Sequence, residues 1–108
     1  VTAPAVAAPV FAALGDPFRL AVVARLCRDG PMPTARLTAG SGITRQAVTK
    51  HLRALEDAGL VRSGRAGRDR LWQVERPRLA AMRDYLDEIS REWDDRLARL
   101  RAFVEEEG

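Results

Sequence analysis

The stretch Thr44-Arg45-Gln46-Ala47-Val48-Thr49-Lys50-His51-Leu52-Arg53-Ala54-Leu55-Glu56-Asp57-Ala58-Gly59-Leu60-Val61 decides the fold. Thr44 carries the short hydroxyl side chain that caps a helix start, and Gly59 is the residue that most easily leaves a helix. With Val48 at zero and about 100° per residue, Leu52 and Leu55 fall within roughly 40° of it. Those three residues make a core face for a helix running to Ala58. Gln46, Thr49, Lys50 and Arg53 occupy the opposite arc, and Arg45 lies exposed at the first turn. In a major groove, Gln pairs with adenine, Arg with guanine, and a Thr methyl meets the thymine methyl. Taken alone, the same pattern fits a surface helix whose polar side meets water. The flanking segments separate the two readings.

Upstream, Thr34 to Ala39 reads as a short helix with Thr34 as its cap, and Gly40-Ser41-Gly42 as a tight turn. Helix, glycine-containing turn and helix together are the signature of a helix-turn-helix unit. Before it, Val6 to Leu14 reads as a helix ended by Gly15. Asp16 caps a second, with Pro17 at its first position and Leu20, Val23, Leu26 and Cys27 as its apolar face to about Arg28. Asp29 to Pro33 reads as a loop. Downstream, Leu60 to Arg65 and Arg70 to Val74 predict two strands joined by a turn over Ala66-Gly67-Arg68-Asp69. Arg62, Arg65, Arg68 and Arg70 crowd this hairpin, as on a wing that lies along a phosphate backbone or enters a minor groove. Charge that protects a sheet edge is the alternative use of those arginines. Trp72 and Val74 share a strand face and are expected to pack on the helices. Pro77 opens a last helix reaching about Glu106.

The expected fold is therefore mainly α with a small β-hairpin: a winged helix-turn-helix of five helices and a two-stranded wing. One domain spans residues 1–108, with 1–9 as a partly flexible N-terminal segment and 77–106 as a C-terminal dimerisation helix. Charge is divided along the chain. Between Arg36 and Trp72 eight basic residues face three acidic ones, a net of +5. From Pro77 onward six basic residues face nine acidic ones, a net of −3. A polyanion is drawn to the middle of the chain and repelled by its end. No run of eighteen apolar residues is present, and the Ala-rich start, interrupted by Pro4 and Pro9 and without a basic leader, does not read as a signal peptide. The single cysteine, Cys27, forms no intrachain disulfide, so a cytoplasmic location is expected.

Leu14-Gly15-Asp16-Pro17-Phe18-Arg19-Leu20 resembles the opening of ArsR/SmtB-type bacterial repressors. The stretch Thr44 to Val61 resembles their recognition helix and its exit, and Gly67-Arg68 followed by Trp72 resembles their wing. The likeness covers about residues 10 to 105. It implies a repressor that binds an inverted-repeat operator in double-stranded DNA as a homodimer and is released by a signal. Metal-sensing members of that family carry paired cysteines before the recognition helix, or Asp and His pairs on the last helix. Neither is present: the first segment is Thr34-Ala35-Arg36-Leu37-Thr38-Ala39, and the last helix has no histidine. Tetrahedral zinc needs four donors, so no metal or other cofactor is expected. Cys27 reads as a small buried hydrophobe and His51 as a packing or phosphate-contacting residue.

Leu79, Met82, Leu86, Ile89, Trp93, Leu97, Leu100 and Val104 recur close to heptad spacing with one four-residue step. Intrachain packing accounts for the first half of this helix. About 30 residues span roughly 45 Å, more than so small a body covers, so the distal half calls for another chain. Val6, Val10, Phe11 and Leu14 are expected to complete that interface, and Tyr85 and Trp93 to anchor the core or line a pocket for an apolar effector. With no metal site, the signal reduces to an organic effector ligand, a sequestering protein or oxidation at Cys27. A winged helix serving as a protein-interaction module is the alternative that keeps the fold, and the basic face argues against it. Catalysis is not expected, since no nucleophile is paired with a base and no phosphate-binding glycine loop or metal cluster is present.

Overall fold

The computed structural model describes residues 3–107. Its elements run α1 (Pro4–Leu14), α2 (Pro17–Asp29), β1 (Met32–Pro33), α3 (Thr34–Thr38), α4 (Arg45–Asp57), β2 (Val61–Ala66), β3 (Asp69–Val74) and α5 (Arg76–Glu107). This is the expected winged helix-turn-helix, with five helices and an antiparallel hairpin. Val48, Leu52 and Leu55 of α4 are fully buried, joined by Leu26 of α2, Leu37 of α3, Leu60, Val61 and Met82. Trp72 sits in that core at 0 % exposure and its indole N–H donates to the Thr34 hydroxyl at 2.8 Å. A buried indole needs such a partner, because an unpaired donor in an apolar interior costs about 1–3 kcal/mol.

Several local expectations are corrected. Helix α1 begins at Pro4, ahead of the start expected at Val6. Val1 and Thr2 lie outside the described residues. The segment expected as a loop contains β1, whose Met32 pairs with Trp72 and makes a three-stranded sheet of order β1-β3-β2. The wing turn is tighter than expected: Ala66 pairs with Asp69, leaving Gly67 and Arg68 at the tip, with Gly67 at φ 62°. Asp16 caps α2 as expected, its carboxylate accepting from the Phe18 and Arg19 N–H groups at 2.9 and 3.1 Å. The apolar face of α2 is rotated, however. Val22, Val23 and Leu26 are buried, whereas Leu20 is 54 % exposed and Cys27 is exposed. Because α1 and α4 both pack on α2, the side that faces them is set by tertiary contact, which spacing alone did not reveal.

Candidate nucleic-acid interface

Helix α4 starts where Thr44 accepts the Ala47 N–H at 3.1 Å and ends before Gly59, which adopts φ 77°. A φ of that sign is open to glycine at little strain. Between these limits the helix buries Val48, Leu52 and Leu55 against the core and turns its other side outward. Gln46, Lys50 and Arg53 are exposed and Thr49 is half-buried. His51 stays at the border, its ring 5.0 Å from that of Phe18, which is the packing role.

Two of the cations on this face are held rather than loose. The Arg45 guanidinium donates to Asp69 Oδ1 at 2.8 Å. Arg53 donates to Glu56 Oε1 at 3.0 Å and lies 5.7 Å from the Trp72 ring centroid, close enough for a cation–π attraction. Glu56 accepts the Ser63 hydroxyl through Oε2 at 2.8 Å, and Ser63 Oγ accepts from Arg70 Nε and Nη2 at 3.1 and 3.0 Å. Arg70 is thus turned back onto the scaffold, and the chain Arg53, Glu56, Ser63, Arg70 ties the wing to α4. Arg62 pairs with Glu75 at 3.1 Å. Arg65 and Arg68 are exposed near the wing tip and make no ion pair among the described residues. Of the four wing arginines, these two are free to reach outward.

Asp69 is the residue the sequence did not single out. Its Oδ2 accepts the Ala35 N–H at 3.0 Å, and Oδ1 accepts the Arg70 N–H at 2.7 Å beside the Arg45 guanidinium. Thr34, expected to cap α3, is instead the first residue of that helix, and its hydroxyl serves Trp72. The cap of α3 comes from the wing. One carboxylate therefore joins the first helix of the helix-turn-helix, the outward-facing helix and the hairpin. Burial pushes the Asp69 carboxyl up, but the Ala35 and Arg70 N–H groups and the Arg45 charge outweigh it and hold it below the ordinary value. Glu56 behaves alike: burial raises it, and hydrogen bonds from Ser63 and Arg53 bring it lower still. The sequence signal for Asp69 was its place in a hairpin turn, which does not reveal a partner 34 residues away.

On the other surface, Val10 is 1 % exposed and points into the protein's own core, not toward a partner. Its burial follows from α1 packing on α2 and α4. Phe11 and Leu14 are half-buried against the same core, with the Phe11 ring 6.2 Å from Tyr85. Beyond Tyr85 the last helix leaves the body: Leu86, Ile89, Trp93, Leu100 and Val104 are exposed, Trp93 at 66 %, and Leu97 is half-exposed. Phe103, not placed on the stripe by its spacing, is exposed beside them. Trp93 anchors nothing among the described residues.

Known proteins share this sequence pattern and fold. A helix-turn-helix domain profile fits residues 14–64. The HTH-type transcriptional regulator Rv2034 of Mycobacterium tuberculosis is 36% identical over 96 residues, covering 89% of this chain and 86% of that protein. An ArsR-like transcriptional regulator from Rhodococcus sp. RHA1 is 35% identical, covers 92% of both chains and superposes with a TM-score of 0.79. The homodimeric winged helix-turn-helix DNA-binding domain of Mb0332 from Mycobacterium bovis, 22% identical, shares the fold at a TM-score of 0.65 over 82% of this chain and 81% of that one. The fold and its site define a winged helix-turn-helix DNA-binding transcriptional regulator. Within that class the chain belongs to the ArsR/SmtB-type family. Its relatives are regulators of transcription.

Proposed function

We propose that this chain is a repressor that binds an inverted-repeat operator as a homodimer, in the cytoplasm, and is released by a signal other than a metal ion. Gln46, Thr49 and Lys50, with Arg53 when it leaves Glu56, read base edges from the major groove. Thr44 and Arg45 hold the helix start against the backbone. Arg65 and Arg68, with Arg62 when it leaves Glu75, contact flanking phosphates, while Arg70 supports the wing from behind. The observation that carries the proposal is the joint exposure of this cationic face and of an apolar helix with nothing of its own to cover.

The pairing has a geometric basis. The molecule measures 69 × 27 × 23 Å because α5 projects from the body, and 22 residues beyond Tyr85 extend it by about 33 Å. The apolar stripe is symmetric about Trp93: Ile89 and Leu97 lie four residues to either side, Leu86 and Leu100 seven. Two such helices placed antiparallel about a two-fold axis at Trp93 set Ile89 of each opposite Leu97 of the other, and Leu86 opposite Leu100. Isologous contact of this kind is what a two-fold dimer requires. The winged helix-turn-helix domain of Mb0332, which is homodimeric, supports the pairing of two copies.

Light scattering beside a mobility-shift assay tests the proposal with Trp93→Glu. The variant should be monomeric and bind operator DNA at least roughly a hundredfold more weakly, since linked half-sites lose their mutual effective concentration. A monomer that binds as tightly as the parent overturns it.

A further inference from the structure

A cleft of about 710 Å³ lies between the end of α2, strand β3 and the first turns of α5. Its floor is apolar, made by Leu26, Val74 and Leu79, and its rim carries Arg76 and Arg83. The volume falls in the range that small-molecule sites occupy. No acidic residue lines it among the described residues. The Arg76 side chain makes no hydrogen bond or ion pair among them, and that of Arg83 meets only the exposed Asp84, at 3.7 Å. The two guanidinium groups stand seven residues apart on one helix, two turns on the same side. Glu75, which caps the start of α5, is engaged by Arg62 at 3.1 Å.

We infer that this cleft binds an amphipathic organic anion: an apolar body on the Leu26, Val74 and Leu79 floor, with a carboxylate or similar head on Arg76 and Arg83. Charge complementarity commits the site to an anion rather than a neutral or cationic molecule. Arginine suits a carboxylate because its planar fork matches the two oxygens. The site touches β3 of the wing and the base of the projecting helix at once. Its occupation biases the angle between reading head and stalk, so the ligand is the releasing signal. That last step rests on the function proposed above; the binding itself does not.

Cys27, the one thiol in the chain, lines the cleft and is exposed, so its alkylation reports occupancy without DNA. Octanoate, below its micellar concentration, should slow alkylation of Cys27 by N-ethylmaleimide several-fold. Octanol at the same concentration should not. In Arg76→Ala/Arg83→Ala the half-protecting octanoate concentration should rise by about tenfold or more, as expected for lost charge-assisted bonds. Equal protection by octanol, equal protection in the double variant, or none by octanoate overturns the anion site. The same octanoate titration in a mobility-shift assay tests the regulatory step. Protection without change in DNA affinity leaves the site and removes its role as signal, whereas a parent protein that never binds DNA defeats the earlier proposal alone.

Discussion

Asp69 shows how much one side chain organises at the residue scale. It receives two backbone N–H groups and a guanidinium from three elements, so Asp69→Asn should cost about 1–2 kcal/mol in urea unfolding. The pH dependence follows from the direction of its shift. A carboxyl held below its ordinary value in the fold contributes stability that is complete above the unfolded value and is lost as pH falls through the folded one. Glu56 and Asp16, both lowered, act in the same sense. The parent should therefore lose stability on acidification below the ordinary carboxylate range, and Asp69→Asn should lose less over that interval. An unchanged acid slope in the variant would remove Asp69 from this role. At the same scale, Gly59→Ala is expected to destabilise by about 1 kcal/mol through its φ of 77°. The added Cβ would also meet Arg78 Nη2 at 2.9 Å, the tip of a side chain that can swing away.

Helix α4 and the wing divide their labour at the element scale. Lys50 is exposed and unpaired among the described residues, a point charge suited to phosphate or to guanine. Gln46 carries the donor and acceptor that adenine requires. Gln46→Ala should relax preference at one base position at a cost of about 1–3 kcal/mol, read by competition among operator variants. Arg68→Ala at the wing tip should weaken binding to all sequences alike and lower the salt slope by about 1. A loss of base preference in Arg68→Ala, or none in Gln46→Ala, would reverse these assignments. The boundaries and polarity of α4 were legible in the sequence because its cap, its apolar period and its terminal glycine are all local. The rotated face of α2, the bridging strand β1 and the scaffold role of Arg70 were not. Each depends on what packs from a distance: Met32 lies beside Trp72, and Arg70 finds Ser63 across the hairpin.

The division of the molecule into a cationic head and an apolar stalk was visible as a change of charge sign and a long apolar period. Which of the apolar residues serve the head and which the stalk was settled only by the fold, where Val10 turns inward and Trp93 outward. In a background without Cys27, Leu86→Cys with Leu100→Cys should form an intermolecular disulfide on oxidation, and either change alone should not. Self-linking of Leu86→Cys alone would mean parallel helices and contradict the symmetry about Trp93. On the proposed function, such pairing would have to present the two α4 helices to successive major grooves about 34 Å apart.

Selection of bound sequences from random duplex DNA by the purified chain tests the central claim most directly. The enriched sites should be inverted repeats whose half-site centres lie one helical turn, or a whole number of turns, apart. Enrichment of single unrepeated half-sites, or of no sequence at all, would contradict it.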